Sequence, residues 1–248
     1  MLALVLVAIP VGLFIGAVGI GGVVLPPALA QIGGLDVHAA TGTSSWCFLF
    51  TGAVGALAYA RQAEMPWRFA CWLSLGAAPA AAVGALVNTV IPAAVLWLAL
   101  GAITMGSGVH HLFGRNSPAG TLTQLAAKRA VVTGAGVGFG SALTGTGGPV
   151  LLVPVLLVLG IAPLTAVAAS QAIQLPLGGF AALGYASAGS VHFRLGTLLG
   201  VMAAVGVVLG ALIAARLRPR ILDRAVASAL VAVGLFLLVM PFLPIDQQ

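Results

Sequence analysis

The residues of this chain that could bind a solute are uncharged hydrogen-bond donors within long apolar stretches. They are hydroxyl and amide side chains: Thr43, Ser44, Ser45, Thr144, Ser170, Gln171 and Gln174. Hydroxyls, amides and backbone N–H groups near the partially positive N-termini of helices can together bind an anion. Because a buried Gln is unfavourable in apolar surroundings, Gln171 and Gln174 are expected to line a solute pathway. The presence of any one Ser or Thr is explained equally well by packing, with its hydroxyl hydrogen-bonded to the backbone of its own helix.

Two glycine clusters interrupt the same apolar sequence. We call residues 19–22 the first glycine break and residues 145–148 the second glycine break. Their glycines are Gly19, Gly21, Gly22, Gly145, Gly147 and Gly148, and prolines follow each cluster. Glycine weakens a helix and proline breaks it, so each cluster is expected to interrupt a membrane segment and to free backbone N–H groups. One cluster alone would be typical of close helix packing, but its recurrence favours a binding site.

The remaining polar residues do not indicate catalytic or metal chemistry. Four acidic residues lie in loops or near the ends of apolar runs: Asp36, Glu64, Asp223 and Asp246. No two of them are paired for acid–base catalysis. The two cysteines, Cys47 and Cys71, lie in apolar runs without the spacing of metal ligands. The sequence therefore predicts no enzyme, no cofactor and no metal site.

The composition places these residues in a membrane protein. Of the 248 residues, 61% are hydrophobic and only 6% are charged, whereas soluble domains carry about 25% charged residues. The apolar runs cover about 2–33, 39–60, 67–91, 92–113, 127–160, 164–186, 194–217 and 224–243. The first is broken at residues 19–22 and 26–27, and the fifth at 145–149 and 154. Helices are the expected form, because an open chain in lipid must satisfy its backbone groups internally.

The two halves of the chain repeat each other at an offset of 126 residues. Tyr59 aligns with Tyr185, and Arg68 aligns with Arg194. Tyr and Arg are rare in this chain, so these matches are informative, and the glycine breaks align as well. The predicted organisation is a first transmembrane repeat, a polar linker and a second transmembrane repeat, at residues 1–113, 114–126 and 127–248.

The basic residues favour an inverted arrangement of the repeats. If each broken run crosses the membrane, six positive charges face one side and four face the other. If each broken run returns to the side it entered from, nine of the ten share one side and only Arg194 lies opposite. Cytoplasmic loops concentrate Lys and Arg, which favours the second arrangement. The predicted fold is an all-α polytopic membrane protein of two inverted repeats, each with one re-entrant Gly/Pro-broken segment and three transmembrane helices.

This arrangement puts Met1 and Gln248 on the extracytoplasmic side and assigns the net charge of +6 to cytoplasmic loops. The basic residues form no patch with interleaved aromatics, so no nucleic-acid partner is expected. Arg68 and Arg194 each follow an aromatic residue at the start of a run. Such residues are typical interfacial anchors. The alternative is that they attract an anion to the two mouths of a pathway.

Several stretches resemble the sulfite exporter TauE/SafE family, also called TSUP. "GAVGIGGVVLPPAL" is similar to its GxxGxGGGxxxxP signature, and "GTGGPVLLVPVLLVLG" is similar to the second copy. "AATGTSS", "VHFRLG" and "VGVVLGALIAARLRPRILDRAV" are also typical of it. The third glycine of the signature is replaced by Val23 and, in the second copy, by Pro149. The resemblance implies transport of small sulfur-containing or organic anions across the cytoplasmic membrane.

The expected function is therefore a secondary transporter or facilitator of a small anion, such as sulfite or an organosulfonate, that works by one repeat rocking against the other. The glycine breaks and the donors named above are the expected substrate site. A passive anion channel and a membrane assembly protein without transport activity are the alternatives. The expected partners are the substrate anion and the lipid bilayer, and the sequence leaves a homodimer open. The expected location is the cytoplasmic (inner) membrane.

Overall fold

The computed structural model describes residues 2–62, 65–87, 93–113 and 125–239. Within these ranges the chain forms ten α-helices and one 3₁₀ turn. The helices are α1 (Leu2–Val18), α2 (Leu25–Gln31), α3 (Val37–Arg61), α4 (Trp67–Val87), α5 (Ala93–Phe113), α6 (Ala127–Thr144), α7 (Pro149–Val158), α8 (Pro163–Ser187), α9 (Phe193–Arg216) and α10 (Pro219–Val239). The 3₁₀ turn, Gly21–Val24, lies between α1 and α2. The expected linker, 114–126, lies outside the described residues except for its last two.

The helix boundaries follow the apolar runs closely, but two predicted proline breaks were wrong. Pro26 and Pro27 lie in the first turn of α2, where a missing N–H leaves no helical hydrogen bond unmade. Pro154 lies inside α7, which continues through it. The carbonyl of Pro154 accepts a hydrogen bond from the Ser107 hydroxyl at 3.1 Å. The interruptions therefore lie at the glycines.

Three described helices are both long and apolar enough to cross a membrane: α4, α8 and α9. Three shorter apolar helices accompany them, at Leu4–Val18, Pro149–Val158 and Arg224–Val239. Helix α3 has the same 25-residue length as α8, but it carries the hydroxyl-rich stretch at residues 41–45. The chain is thus all-helical, with apolar helices and polar residues placed inside the bundle.

Glycines allow α1 to pack closely against α9 in a parallel orientation. A Cβ on Gly12 would overlap the carbonyl of Ala203, and one on Gly16 would overlap the carbonyl of Val207. Both residue numbers rise together along the contact, so the two helices run in the same direction. Small residues permit such close approach of backbones in membrane helices.

The pair α4 and α6 packs in the same way. Gly134 faces the carbonyl of Leu73, and Gly138 faces the carbonyl of Ala77. These helices are also parallel. In both pairs a helix that precedes a glycine break rests on a helix from the other half of the chain.

Two further pairs, α3 with α8 and α5 with α10, pack in antiparallel orientation. Along α3, Gly42 contacts Tyr185 and Gly52 contacts Leu175 of α8. Because the numbers of the contacting residues fall along α8 as they rise along α3, the two helices run in opposite directions. The same holds at Gly101, which contacts Leu238, while the later Gly108 contacts residues 227–231. Helices α3 and α8 pack along most of their length, from the contact of Gly42 with Tyr185 to that of Gly55 with Gln171.

Candidate functional site

The first glycine break ends α1 and turns the chain back along it. Gly19 has φ +82°, a conformation that strongly favours glycine. The following 3₁₀ turn Gly21–Val24 lies against the preceding helix, because a Cβ on Gly21 would contact the carbonyl of Val11 and lie 2.9 Å from the amide nitrogen of Ile15. The chain therefore reverses direction within the bundle.

The second glycine break also ends a helix and turns the chain back, and more of its glycines have a positive φ. Gly145 caps the end of α6 with φ +64°, and Gly147 and Gly148 have φ +79° and +98°. Helix α7 then lies against α6, since the Leu151 side chain comes within 2.8 Å of where a Cβ on Gly140 would be. Glycine is required here by the backbone conformation itself.

The two breaks meet in the interior. A Cβ on Gly22 would lie 3.0 Å from the carbonyl oxygen of Thr146, which belongs to the second break. The Phe48 ring lies between them and contacts both Gly22 and Gly147. Phe48 stands near the middle of the 25-residue α3 and is fully buried. The breaks are thus adjacent, and both are level with the centre of the longest helices.

Unpaired backbone donors accompany this junction. Among the described residues, no backbone carbonyl accepts from the N–H groups of Gly21, Gly22, Gly147 or Gly148. The first N–H groups of a helix have no intrahelical partner, and here the 3₁₀ turn and α7 both begin at the junction. Unpaired buried N–H groups are rare in folded proteins, so a cluster of them is a feature that requires an explanation.

Each break is contacted by a serine from the other half of the chain. The Ser44 hydroxyl donates to Thr41 O at 2.8 Å and lies 3.2 Å from Gly145 O, to which it also donates. The Ser170 hydroxyl donates to Val167 O at 2.7 Å. Its oxygen lies 3.3 Å from where a Cβ on Gly19 would be. The predicted residues Ser44 and Ser170 therefore both lie at the breaks.

Among the seven predicted hydroxyl and amide residues, only the two glutamines have buried polar atoms without a hydrogen-bond partner. Gln171 donates through Nε2 to Ile15 O at 2.7 Å, while its Oε1 has no partner. Both Oε1 and Nε2 of Gln174 lack a partner, and the side chain is fully buried. A buried polar group without a hydrogen bond costs about 1–3 kcal/mol. Gln174 therefore occupies a position that stability alone does not explain.

The other predicted donors are spread around this centre. Thr43 accepts a hydrogen bond from the His192 N–H at 3.0 Å and so faces α9, not the breaks. Ser45 donates to Thr41 O at 2.9 Å, within its own helix. Thr144 shares a 3.0 Å hydrogen bond with Thr146 at the start of the second break. All three are buried, but only Thr144 lies directly at a break.

The predicted mouth residues lie at the surface. Arg68 and Arg194 stand in the first turns of α4 and α9, and both side chains are exposed. Arg194 follows Phe193, whose ring packs edge-on against Trp46 at 5.0 Å between centroids. The structure therefore separates the two arginines from the buried centre.

Sequence reasoning missed Phe48, Ser141 and the function of the two tyrosines. Phe48 is an ordinary residue in an apolar run, and no pattern marks it. The Ser141 hydroxyl is buried without a partner close to the second break. Tyr59 and Tyr185 were used only to align the halves; they donate to Gly16 O and Ala142 O, both at 2.7 Å. The recurrence of a rare residue type at two matched positions was the feature of the sequence that could have indicated a shared function for the tyrosines.

Taken together, the junction is buried, uncharged and rich in donors. Every glycine of the two breaks and all seven predicted hydroxyl and amide residues are buried. The nearest neighbours of the break glycines among the described residues are neither acidic nor basic, and no group of His, Cys, Asp or Glu able to hold a metal occurs in that part of the chain. Such a site can solvate an anion through hydrogen bonds but has no group for proton transfer.

These features are those of a multi-pass membrane transport protein, and comparison with protein families agrees. The family model for the sulfite exporter TauE/SafE matches residues 4–237. This match covers nearly all of the chain, which therefore belongs to the TauE/SafE family. Members of this family are membrane transporters, so the chain is a transporter and not an enzyme, and the family implies an anion as the transported substrate. No match is found among curated proteins or among solved structures.

Proposed function

We propose that this protein is a secondary transporter that binds a small anion at the junction of its two glycine breaks. The observation that carries the proposal is the meeting of Gly22 with Thr146 in the interior, where both breaks have unpaired N–H groups. The fully buried, unpartnered amide of Gln174 on α8 is proposed as a further donor to the same anion. Discontinuous helices that meet at a repeat interface are typical of substrate sites in secondary transporters.

The chemistry of the junction favours an anion. Backbone N–H groups are donors only, and the helix N-terminus at Gly148 adds partial positive charge. A cationic side chain is missing from the described contacts of the breaks, which suits release as well as binding, because a transported ion must leave its site. A small sulfur oxyanion or organosulfonate, such as sulfite, has several acceptor oxygens that match several donors.

We further propose that the halves form an inverted repeat. Helices α3 and α8 begin 126 residues apart and have equal length, as do α5 and α10. If the repeats were parallel, such corresponding helices would run in the same direction; both pairs instead run in opposite directions. Helix α3 also runs parallel to α9, because Gly196 contacts Thr43 and Gly200 contacts Cys47. Since α1 is parallel to α9 as well, α3 starts from the same side as α1 although it follows α1 in the chain, which supports re-entrance.

The same directions account for the basic residues. The end of α3 with Arg61, the start of α6 with Lys128 and the end of α9 with Arg216 fall on one side of the bundle. Arg194, at the start of α9, falls on the opposite side. Because positive charge concentrates in the cytoplasm, the first side is proposed to be cytoplasmic and the membrane to be the inner membrane.

Packing suggests which parts move during transport. Because α1 rests on α9 and α6 rests on α4 through backbone contacts, each pair is expected to move as a unit. The moving units then contain helices of both halves, in contrast to a simple rocking of one half against the other. The buried junction corresponds to a closed state, and displacement of one pair would open it to one side.

A counterflow experiment tests the proposal. Purified protein in liposomes loaded with unlabelled sulfite should accumulate labelled external sulfite transiently, and the initial rate should saturate with concentration. Rates that rise linearly without counterflow would support a passive channel instead. Protein that neither binds nor moves sulfite, thiosulfate, sulfate or sulfonates would contradict the proposal and favour an assembly function.

A further inference from the structure

Near the centre of the molecule, two positions that the repeat offset matches carry very different side chains. Phe48 of α3 and Gln174 of α8 stand 126 residues apart, at the offset that aligns the glycine breaks. Both are fully buried. The offset therefore aligns a large apolar ring with an amide that has no hydrogen-bond partner.

The Phe48 ring fills the space between the breaks. Its Cε1 and Cζ atoms lie 3.0 and 3.1 Å from where a Cβ on Gly22 would be. On the other side, its Cδ2 and Cε2 atoms lie 2.5 and 2.7 Å from where a Cβ on Gly147 would be. The ring thus lies between Gly22 of the first break and Gly147 of the second, beside the direct contact of Gly22 with Thr146.

From this geometry we infer that Phe48 is the plug of the transport pathway: in the closed state its ring occupies the passage between the breaks, and it moves aside when an anion enters. The inference rests on the proposed transport function and adds the residue that seals it. An apolar ring suits this role, because it excludes water and gives an anion no hydrogen bond at that point. Gln174 lies on α8, which packs against α3, and its unpartnered amide is the donor that we expect the anion to meet when the ring withdraws.

Transport measurements with Phe48→Ala test the plug. We expect this variant to let sulfite pass without counterflow, with a rate that no longer saturates, because the seal is lost while the donors remain. Phe69→Ala is the matched control, since Phe69 is a buried phenylalanine of α4 at 1% exposure; it should lower stability and retain counterflow. Counterflow by Phe48→Ala equal to that of the wild type would overturn the inference.

A double-mutant cycle tests the contact without relying on transport. Gly147→Ala should lower the melting temperature, because its methyl group meets the ring, and the loss should be smaller in a Phe48→Ala background. An equal loss in both backgrounds would show that the ring does not fill this space. If wild-type protein moves no anion, the proposed function fails, and the cycle still decides whether Phe48 is wedged between the breaks.

Discussion

The hydroxyl of Tyr59 donates a hydrogen bond of 2.7 Å to the carbonyl oxygen of Gly16, near the end of α1. The last carbonyls of a helix have no intrahelical donor, and the break at Gly19 leaves them inside the protein. Tyr185 makes the same 2.7 Å bond to Ala142, near the end of α6. The chain has only two tyrosines, and both satisfy a carbonyl that a glycine break has exposed.

Removal of either hydroxyl should therefore weaken the fold to a similar extent. Tyr59→Phe and Tyr185→Phe each keep the ring and leave one buried carbonyl unpaired, which should cost about 1–2 kcal/mol of unfolding free energy. Unfolding in detergent, followed by circular dichroism, measures this. A clear loss in only one variant would argue against equivalent functions for the two tyrosines.

The parallel packing of α4 on α6 gives a second prediction. Gly138→Ala should destabilise the protein by about 1–3 kcal/mol, because its methyl group would overlap the Ala77 carbonyl and force the helices apart. Gly136, on the same helix, has no heavy atom within 4 Å of the added methyl and is the matched control. Gly136→Ala should be neutral or slightly stabilising, since Ala favours helix over Gly. Equal effects of the two substitutions on thermal unfolding would contradict the close contact.

Much of the helix arrangement and part of the site could be predicted from local chemistry. Apolar runs between charged loops set the ends of α3, α4, α5, α8 and α9 to within a few residues. Glycine clusters marked the breaks, and the unfavourable burial of an amide singled out Gln171 and Gln174 as candidates. These inferences depend only on the properties of single residues and on the offset of 126 residues.

The remainder depends on how helices from different halves pack. Nothing in an apolar run distinguishes Phe48, at the junction, from another buried phenylalanine such as Phe69. The Thr43 side chain faces α9 because of how α3 is rotated about its own axis. Pro154 was predicted to break its segment, but α7 continues through it, and Ser107 of another helix donates to the Pro154 carbonyl. Contacts between helices determine these features, and such contacts cannot be inferred from a single sequence.

The inverted repeat predicts which loops face the cytoplasm. Reporter fusions after Gln62 and after Pro219 should give cytoplasmic signals, and a fusion after Gly189 should give an extracytoplasmic signal. Gly189 is a suitable insertion point, since it has open space around it. The same compartment for all three fusions, or the reverse assignment, would be incompatible with the proposed topology.

Arg194 should influence how fast anions arrive, because it is the one basic residue assigned to its side of the membrane. Arg194→Gln should raise the KM for sulfite at low ionic strength and have little effect in high salt, since screening weakens attraction by exposed charges. Arg194→Lys keeps the charge and should retain the wild-type KM. Should Arg194→Gln leave KM unchanged at low salt, Arg194 would be an interfacial anchor only.

The most direct test of the anion site is the affinity for sulfite of Gln174→Leu, measured by isothermal titration calorimetry on purified protein. Thr104→Val is the control, because the Thr104 hydroxyl is also buried without a partner but lies on α5, outside the described contacts of the breaks. A hydrogen bond to a charged group contributes about 1.5–3 kcal/mol, so Gln174→Leu should bind roughly tenfold to a hundredfold more weakly. Thr104→Val should bind as the wild type does. Equal affinity in all three proteins would contradict the assignment of the anion to the junction of the two glycine breaks.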